Sequence, residues 1–214
     1  MKDYRIVFEK RGRVKYISHL DLNRCMLRAV RRSGLPAWYT EGFHPHMYLM
    51  FPLALSLGAE STCEVMDLRL TEEVPPEEIL NRLNPALPEG LRAYEVREPK
   101  HVTQDIGSAA YEITLVGEEL TPRWEAFLAQ EQILTEKKTK KGMKEIDIKP
   151  LISVESAAAE GDALHLTMRL PAGNEGNLNV SVVTDAFAAF AQTEVLVKTV
   201  LRTKIFCADG GLFF

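Results

Sequence analysis

Cysteine is scarce and scattered, with Cys25, Cys63 and Cys207 the whole complement of 214 residues. An odd number at such distances builds no disulfide framework, no Cys-x-x-Cys pair and no iron–sulfur cluster. No apolar run reaches the ~20 residues needed to cross a bilayer. The opening Met1-Lys2-Asp3 leads into a short strand-like run and not into an export signal, so a cytoplasmic protein without membrane attachment is expected. A phosphate-binding loop is missing as well: residues 173–176, Gly-Asn-Glu-Gly, lack the Lys-Ser/Thr ending that a P-loop needs. Nothing in the spacing of His, Cys, Asp and Glu calls for a metal or another cofactor.

What is present is ordinary for a folded chain: 46% hydrophobic and 26% charged residues, enough for one large core or two small ones. The distribution of charge is not ordinary. Residues 1–32 hold ten Lys or Arg against Asp3, Glu9 and Asp21, a balance of +7, so the other 182 residues carry −11 to reach the net −4. A polyanion such as RNA is drawn to such a surface because each cation near a phosphate releases condensed counterions.

Within this basic opening, Tyr4–Phe8 is branched and aromatic and predicts a strand. Ser18, with Asp21 three residues on, predicts a helix start, since the hydroxyl accepts from a first-turn amide and the carboxylate meets the positive end of the dipole. Leu22, Cys25, Met26, Ala29 and Val30 then keep the spacing of a buried stripe, while Arg24, Arg28, Arg31 and Arg32 repeat it on another face. Gly34 and Pro36 end the helix. With Arg11 and Arg13 of the preceding turn, these arginines are the candidate phosphate contacts.

The loop from Trp38 to Tyr48 places Trp38, Tyr39 and Phe43 beside His44-Pro45-His46, with Gly42 and Pro45 interrupting regular structure. Trp38, Tyr39 and Phe43 are candidates for stacking unpaired bases. His19, at the start of the helix, and His46 form a candidate acid–base pair for metal-independent RNA cleavage, because imidazoles titrate near neutrality.

Arg5–Lys10, the run Tyr16-Ile17-Ser18-His19-Leu20-Asp21-Leu22 and the run Thr40-Glu41-Gly42-Phe43-His44-Pro45-His46 resemble a radical-SAM-linked domain family of unknown function. That family usually carries Asn where His44 stands, which leaves His19 and His46 as the pair to consider. The resemblance continues through Leu55–Ser61 and Asp147–Leu151. It implies the free-standing form of a domain otherwise fused behind a cobalamin-binding radical SAM protein, which becomes the expected partner. Members are often encoded near a ribonuclease of the E/G type, so RNA is the implied shared theme.

Along the rest of the chain, Met47–Leu57 reads as a strand bent at Pro52, Thr62–Leu70 as its returning partner, Pro75–Leu83 as a helix and Leu91–Val96 as an edge strand. The order βαββαβ predicts an α+β fold with an antiparallel, ferredoxin-like sheet in residues 1–98. Residues 99–107 are the expected linker, with His101 exposed. Residues 108–214 repeat the order: strands at 109–116, 133–139, 145–153, 163–170 and 195–207, helices near 121–130 and 180–192, with 163–170 expected to pair with 146–152. One strand is surplus. Lys140 and Lys141 sit in a basic hairpin tip of six lysines between residues 136 and 149 and are further candidate phosphate contacts.

These features predict two tandem ferredoxin-like halves that bind RNA as an accessory to a radical SAM enzyme in RNA processing or modification. The CRISPR repeat-processing endonucleases share such an architecture, which is an analogy of fold alone. Two alternatives use the same residues: a metal-independent endoribonuclease working through His19 and His46, and a protein–protein adaptor whose basic face docks the radical SAM partner without touching RNA.

Overall fold

Apolar residues at every second position of Lys2–Lys10 (β1) turn Tyr4, Ile6 and Phe8 to one side of a sheet, and this alternation sets up the first half of the molecule. The computed structural model describes residues 1–139, 142–173 and 176–214. The chain divides into two compact units, Met1–Asp105 with Leu212–Phe214, and Ile106–Gly211. Residues 99–105 of the expected linker thus belong to the first unit. The architecture is mixed α+β with antiparallel strand pairing and, among the described residues, four α-helices.

In the first unit, β1 pairs with Glu60–Leu70 (β3) on one side and Leu91–Arg97 (β4) on the other, and Leu49–Met50 (β2) joins the outer edge of β3. Two helices, His19–Ser33 (α1) and Pro76–Leu83 (α2), lie on the face that carries Tyr4, Ile6 and Phe8. Leu22, Met26, Ala29 and Val30 of α1 close this core against Met66, Leu68 and Leu70 of β3. The start of α1 forms as its sequence dictates. Ser18 Oγ accepts from the Asp21 amide at 3.1 Å, and Gly34 takes the left-handed conformation, φ 66°, that a side chain would oppose.

The strand predicted over Met47–Leu57 shrinks to Leu49–Met50. Pro52 has no amide to give a ladder, and Met47 instead meets Tyr39 in an isolated bridge.

On the opposite face of the same strands, antiparallel register sets Asp3 across from Arg69 and Arg5 across from Asp67. Arg5 is buried, and its Nε and Nη2 each donate to a separate Asp67 oxygen at 2.8 Å. The same guanidinium also donates to the carbonyls of His101 at 2.9 Å and Phe213 at 3.3 Å and stacks 4.1 Å from the Phe213 ring. One side chain therefore ties β1 to β3, to the segment after β4 and to the returning residues 212–214. His101, expected in solvent, is half-buried here, with its ring 6.1 Å from Phe213 and its Nδ1 3.6 Å from Asp105.

The second unit contains Ile106–Val116 (β5), Leu120–Ala129 (α3), Leu134–Thr139 (β6), Gly142–Asp147 (β7), Ser153–Glu160 (β8), Ala163–Pro171 (β9), Val180–Ala191 (α4) and Leu196–Cys207 (β10). Its strands pair antiparallel in the order β10-β5-β9-β8. Trp124, Phe127 and Phe187 meet at ring separations of 5.0–5.5 Å in a core completed by Leu164, Leu166, Met168 and Leu170.

The surplus strand of the sequence resolves here. β6 and β7 leave the main sheet as a hairpin of their own, closed at its base by Asp147 Oδ1, which accepts from the amides of Ile133 and Lys149 at 2.9 and 3.0 Å. A helical turn over Lys149–Leu151 then separates β7 from β8, so β9 pairs with Ser153–Glu160 and not with residues 146–152. The extended run assumed from 145 to 153 is broken at Pro150, whose ring fixes φ and removes an amide.

Because the Arg5–Asp67 pair is buried, Asp67→Ala strands a guanidinium without its counter-charge and is expected to lower unfolding free energy by about 3–5 kcal/mol. The double change Arg5→Met with Asp67→Leu removes both charges and should recover part of that loss. Urea unfolding of the two variants and the parent measures both effects.

Candidate nucleic-acid interface

Long-range pairing reshapes the charge of the first 32 residues. Arg5 is consumed by Asp67, Lys2 pairs with Glu98, and Glu60 takes both Arg11 at 3.4 Å and Lys15 at 3.8 Å. Lys10 is buried and gives its ammonium to the Lys15 carbonyl at 3.3 Å. Carboxylates distant in sequence thus neutralise most of the opening strand and turn. Arg13, on the turn, is exposed and carries no carboxylate partner among the described residues.

The arginines of α1 are treated differently. Arg24 pairs with Asp21 at 3.3 Å, and Asp21 is held below the ordinary carboxylate range first by the Ser18 hydroxyl and then by Arg24. One turn further, Arg28, Arg31 and Arg32 are exposed and meet no carboxylate among the described residues. Arg32 donates to the Ala86 carbonyl at 2.7 Å, and Arg31 Nε donates to the Tyr39 hydroxyl at 3.3 Å. Arg24, Arg28 and Arg32 rim a shallow depression of about 300 Å³ with Cys25 in its wall. Burial pushes the Cys25 thiol pKa up against the pull of Arg32 and Arg28, so the sulfur remains a neutral thiol.

The rings of the Trp38–Tyr48 loop divide into used and unused. Trp38 and Tyr48 both face the Arg69 guanidinium, at 5.2 and 4.6 Å, and meet each other edge to face at 6.3 Å. Arg69 is in turn bound by Asp3, which accepts from its Nε and Nη2 at 2.6 and 2.9 Å. Tyr39 is partly exposed next to Arg31, and Phe43 is wholly exposed at the bend. Of the candidate stacking rings Trp38, Tyr39 and Phe43, the last two are therefore the ones open to a ligand, and Trp38 is engaged in holding the loop to β3.

The two histidines occupy separate environments. His19, on the first turn of α1, packs edge to face on Phe51 at 5.3 Å, and His46 Nδ1 lies 2.9 Å from the Thr40 hydroxyl. No hydrogen bond or ring contact joins His19 to His46 among the described residues, nor does any group of three His, Cys, Asp or Glu there form a metal site. Lys140 and Lys141 lie outside the described residues.

Sequence reading missed Arg69 and its partner Asp3. The signal was present: Asp3-Tyr4-Arg5 on β1 and Asp67-Leu68-Arg69 on β3 repeat one Asp-x-Arg pattern, and antiparallel pairing sets each aspartate opposite the other strand's arginine.

Residues 3–180 match the model of DUF2344, a family of uncharacterized proteins conserved in bacteria. The chain belongs to this family. The match includes β1 from Asp3 onward, α1 and the Trp38–Tyr48 loop, and it extends through the second unit to the first residue of α4. No curated protein matches the chain. No helix among the described residues is long and apolar enough to cross a membrane.

The Asp3–Arg69 pair predicts a pH signature. Hydrogen bonding from Arg69 is the largest cause holding the Asp3 carboxyl below its ordinary value of 3.8. A depressed carboxylate stabilises the fold above its unfolded pKa and loses that contribution as pH falls through the folded one. The stability gap between the parent and Asp3→Asn should therefore be full at neutral pH and close as pH falls below 3.8. Thermal melts across that range, with the Asp3 titration followed by NMR, measure it.

Proposed function

We propose that the first unit binds single-stranded RNA across the exposed face of α1, in an accessory protein that works with a cobalamin-binding radical SAM partner in RNA processing or modification. The observation that carries this reading is that Arg28, Arg31 and Arg32 meet no carboxylate among the described residues, on one exposed helix face. The earlier basic residues other than Arg13 are largely neutralised, so this face is where most of the positive charge of residues 1–32 survives. Guanidinium groups at helical spacing suit successive phosphates, and they are weakly hydrated and fork-shaped, which favours phosphate contact. Tyr39, positioned by Arg31, offers a ring at the rim of the row, and Phe43 a second at the tip of the loop.

In this reading both units are variants of the ferredoxin-like motif. Support comes from the element order βαββαβ in the first unit and from the strand order β10-β5-β9-β8 in the second, with the β6–β7 hairpin inserted. The radical SAM partner rests on the family resemblance of the Tyr16–Leu22 and Thr40–His46 runs. Cleavage by His19 and His46 has no supporting contact between the two rings.

Fluorescence anisotropy with a labelled single-stranded RNA tests the proposal. Arg28→Glu with Arg31→Glu should weaken binding at least tenfold, roughly, and lower the slope of log affinity against log salt by about two. Equal affinity in parent and variant would sink the reading. A radical SAM partner that copurifies equally well after ribonuclease treatment, and is lost in the same variant, assigns the face to protein docking instead.

A further inference from the structure

The face of the first unit's sheet turned away from α1 carries a cleft of about 420 Å³, within the range of small-molecule sites. Its floor includes Asp3 and Asp67, one side carries Tyr48 and Met50, and the other is the segment 99–104 that Arg5 holds through the His101 carbonyl. Asp3 and Asp67 are each gripped by a two-pronged arginine, Arg69 and Arg5. Such a grip occupies one lone pair on each carboxylate oxygen and leaves the others able to accept. The guanidinium charges cancel the carboxylate charges, so the floor attracts neutral N–H donors without selecting for a cation.

Three further features narrow the ligand. The Tyr48 ring, backed by the Arg69 guanidinium at 4.6 Å, offers a stacking surface. Lys100 is exposed at the wall and has no ion-pair partner among the described residues, so the cleft accommodates a single anionic group. Thr103 and Gln104 add groups that both donate and accept. A flat ring with adjacent N–H donors and one phosphate satisfies all of these at once.

We propose that this cleft binds a free purine nucleoside monophosphate, with guanine preferred. The ring lies against Tyr48, its N–H edge faces the Asp3 and Asp67 carboxylates, and the phosphate meets Lys100. Guanine is favoured because its ring N–H and exocyclic amine are neighbouring donors, whereas uracil would turn carbonyls toward the carboxylates. The site is independent of RNA binding on α1, since it lies on the other face of the sheet and needs one phosphate, not a chain of them.

Isothermal titration of the full chain with guanosine, inosine and uridine monophosphates tests this. Guanosine monophosphate should bind saturably, inosine monophosphate, which lacks the exocyclic amine, about tenfold more weakly, and uridine monophosphate more weakly still. Lys100→Ala, at an exposed position, should weaken the guanosine monophosphate complex several-fold and leave binding of unphosphorylated guanosine unchanged. The absence of saturable guanosine monophosphate binding, equal affinity for uridine monophosphate, or an unaltered Lys100→Ala complex each overturns the proposal. Arg28→Glu with Arg31→Glu should bind the mononucleotide like the parent, so failure of the RNA reading and failure of this one are read out separately.

Discussion

The Arg5–Asp67 ion pair is the constraint around which the first unit is arranged. Burying a guanidinium is costly, and the cost is met only when its donors find acceptors of good geometry. Here those acceptors come from three separate stretches: the two oxygens of Asp67 on β3, the His101 carbonyl after β4 and the Phe213 carbonyl, with the Phe213 ring stacked on the guanidinium. The segment 99–105 and the residues 212–214 are held to the first unit by a side chain that a reader of the sequence would place on the solvated side of a strand.

Arg69 does the neighbouring task. Asp3 fixes its orientation, and its guanidinium becomes the surface on which Trp38 and Tyr48 rest. The long loop after α1 is thereby anchored at both ends, through Trp38 and Tyr48, while its middle, from Glu41 to His46, stays exposed. A rigid base with a projecting tip is a common arrangement for recognition, because the tip's contacts are not spent on holding the fold. The aspartates of the same two pairs, Asp3 and Asp67, line the cleft beside residues 99–104, so one charge pattern serves packing and shapes that cleft.

The +7 of residues 1–32 is real, but Glu60, Asp67 and Glu98 come from strands or turns far along the chain and cancel Lys2, Arg5, Arg11 and Lys15. What survives, besides Arg13 on the turn, is the α1 face beyond Arg24. There the positive charge persists because the neighbouring elements contribute carbonyls and a phenol to Arg31 and Arg32, and no carboxylates.

Local signals determined the elements. Ser18, Gly34, Pro76 and the apolar stripe of α1 each act within a few residues, so the helix and its limits could be read directly. Strand alternation likewise identified β1, β3 and β9. The partners of those strands are not local, which is why the sequence reading runs β7 on to residue 153 and lacks β8, and why it overextends the segment Met47–Leu57: a turn at Pro150 and a ladder lost at Pro52 decide pairing only once the neighbouring strand is in place. For the candidate interface, the sequence located the arginine row and the aromatic loop. Tertiary structure alone decided which arginines keep their charge, which rings stay open and that His19 and His46 do not touch, because each depends on where a distant carboxylate, guanidinium or strand comes to rest.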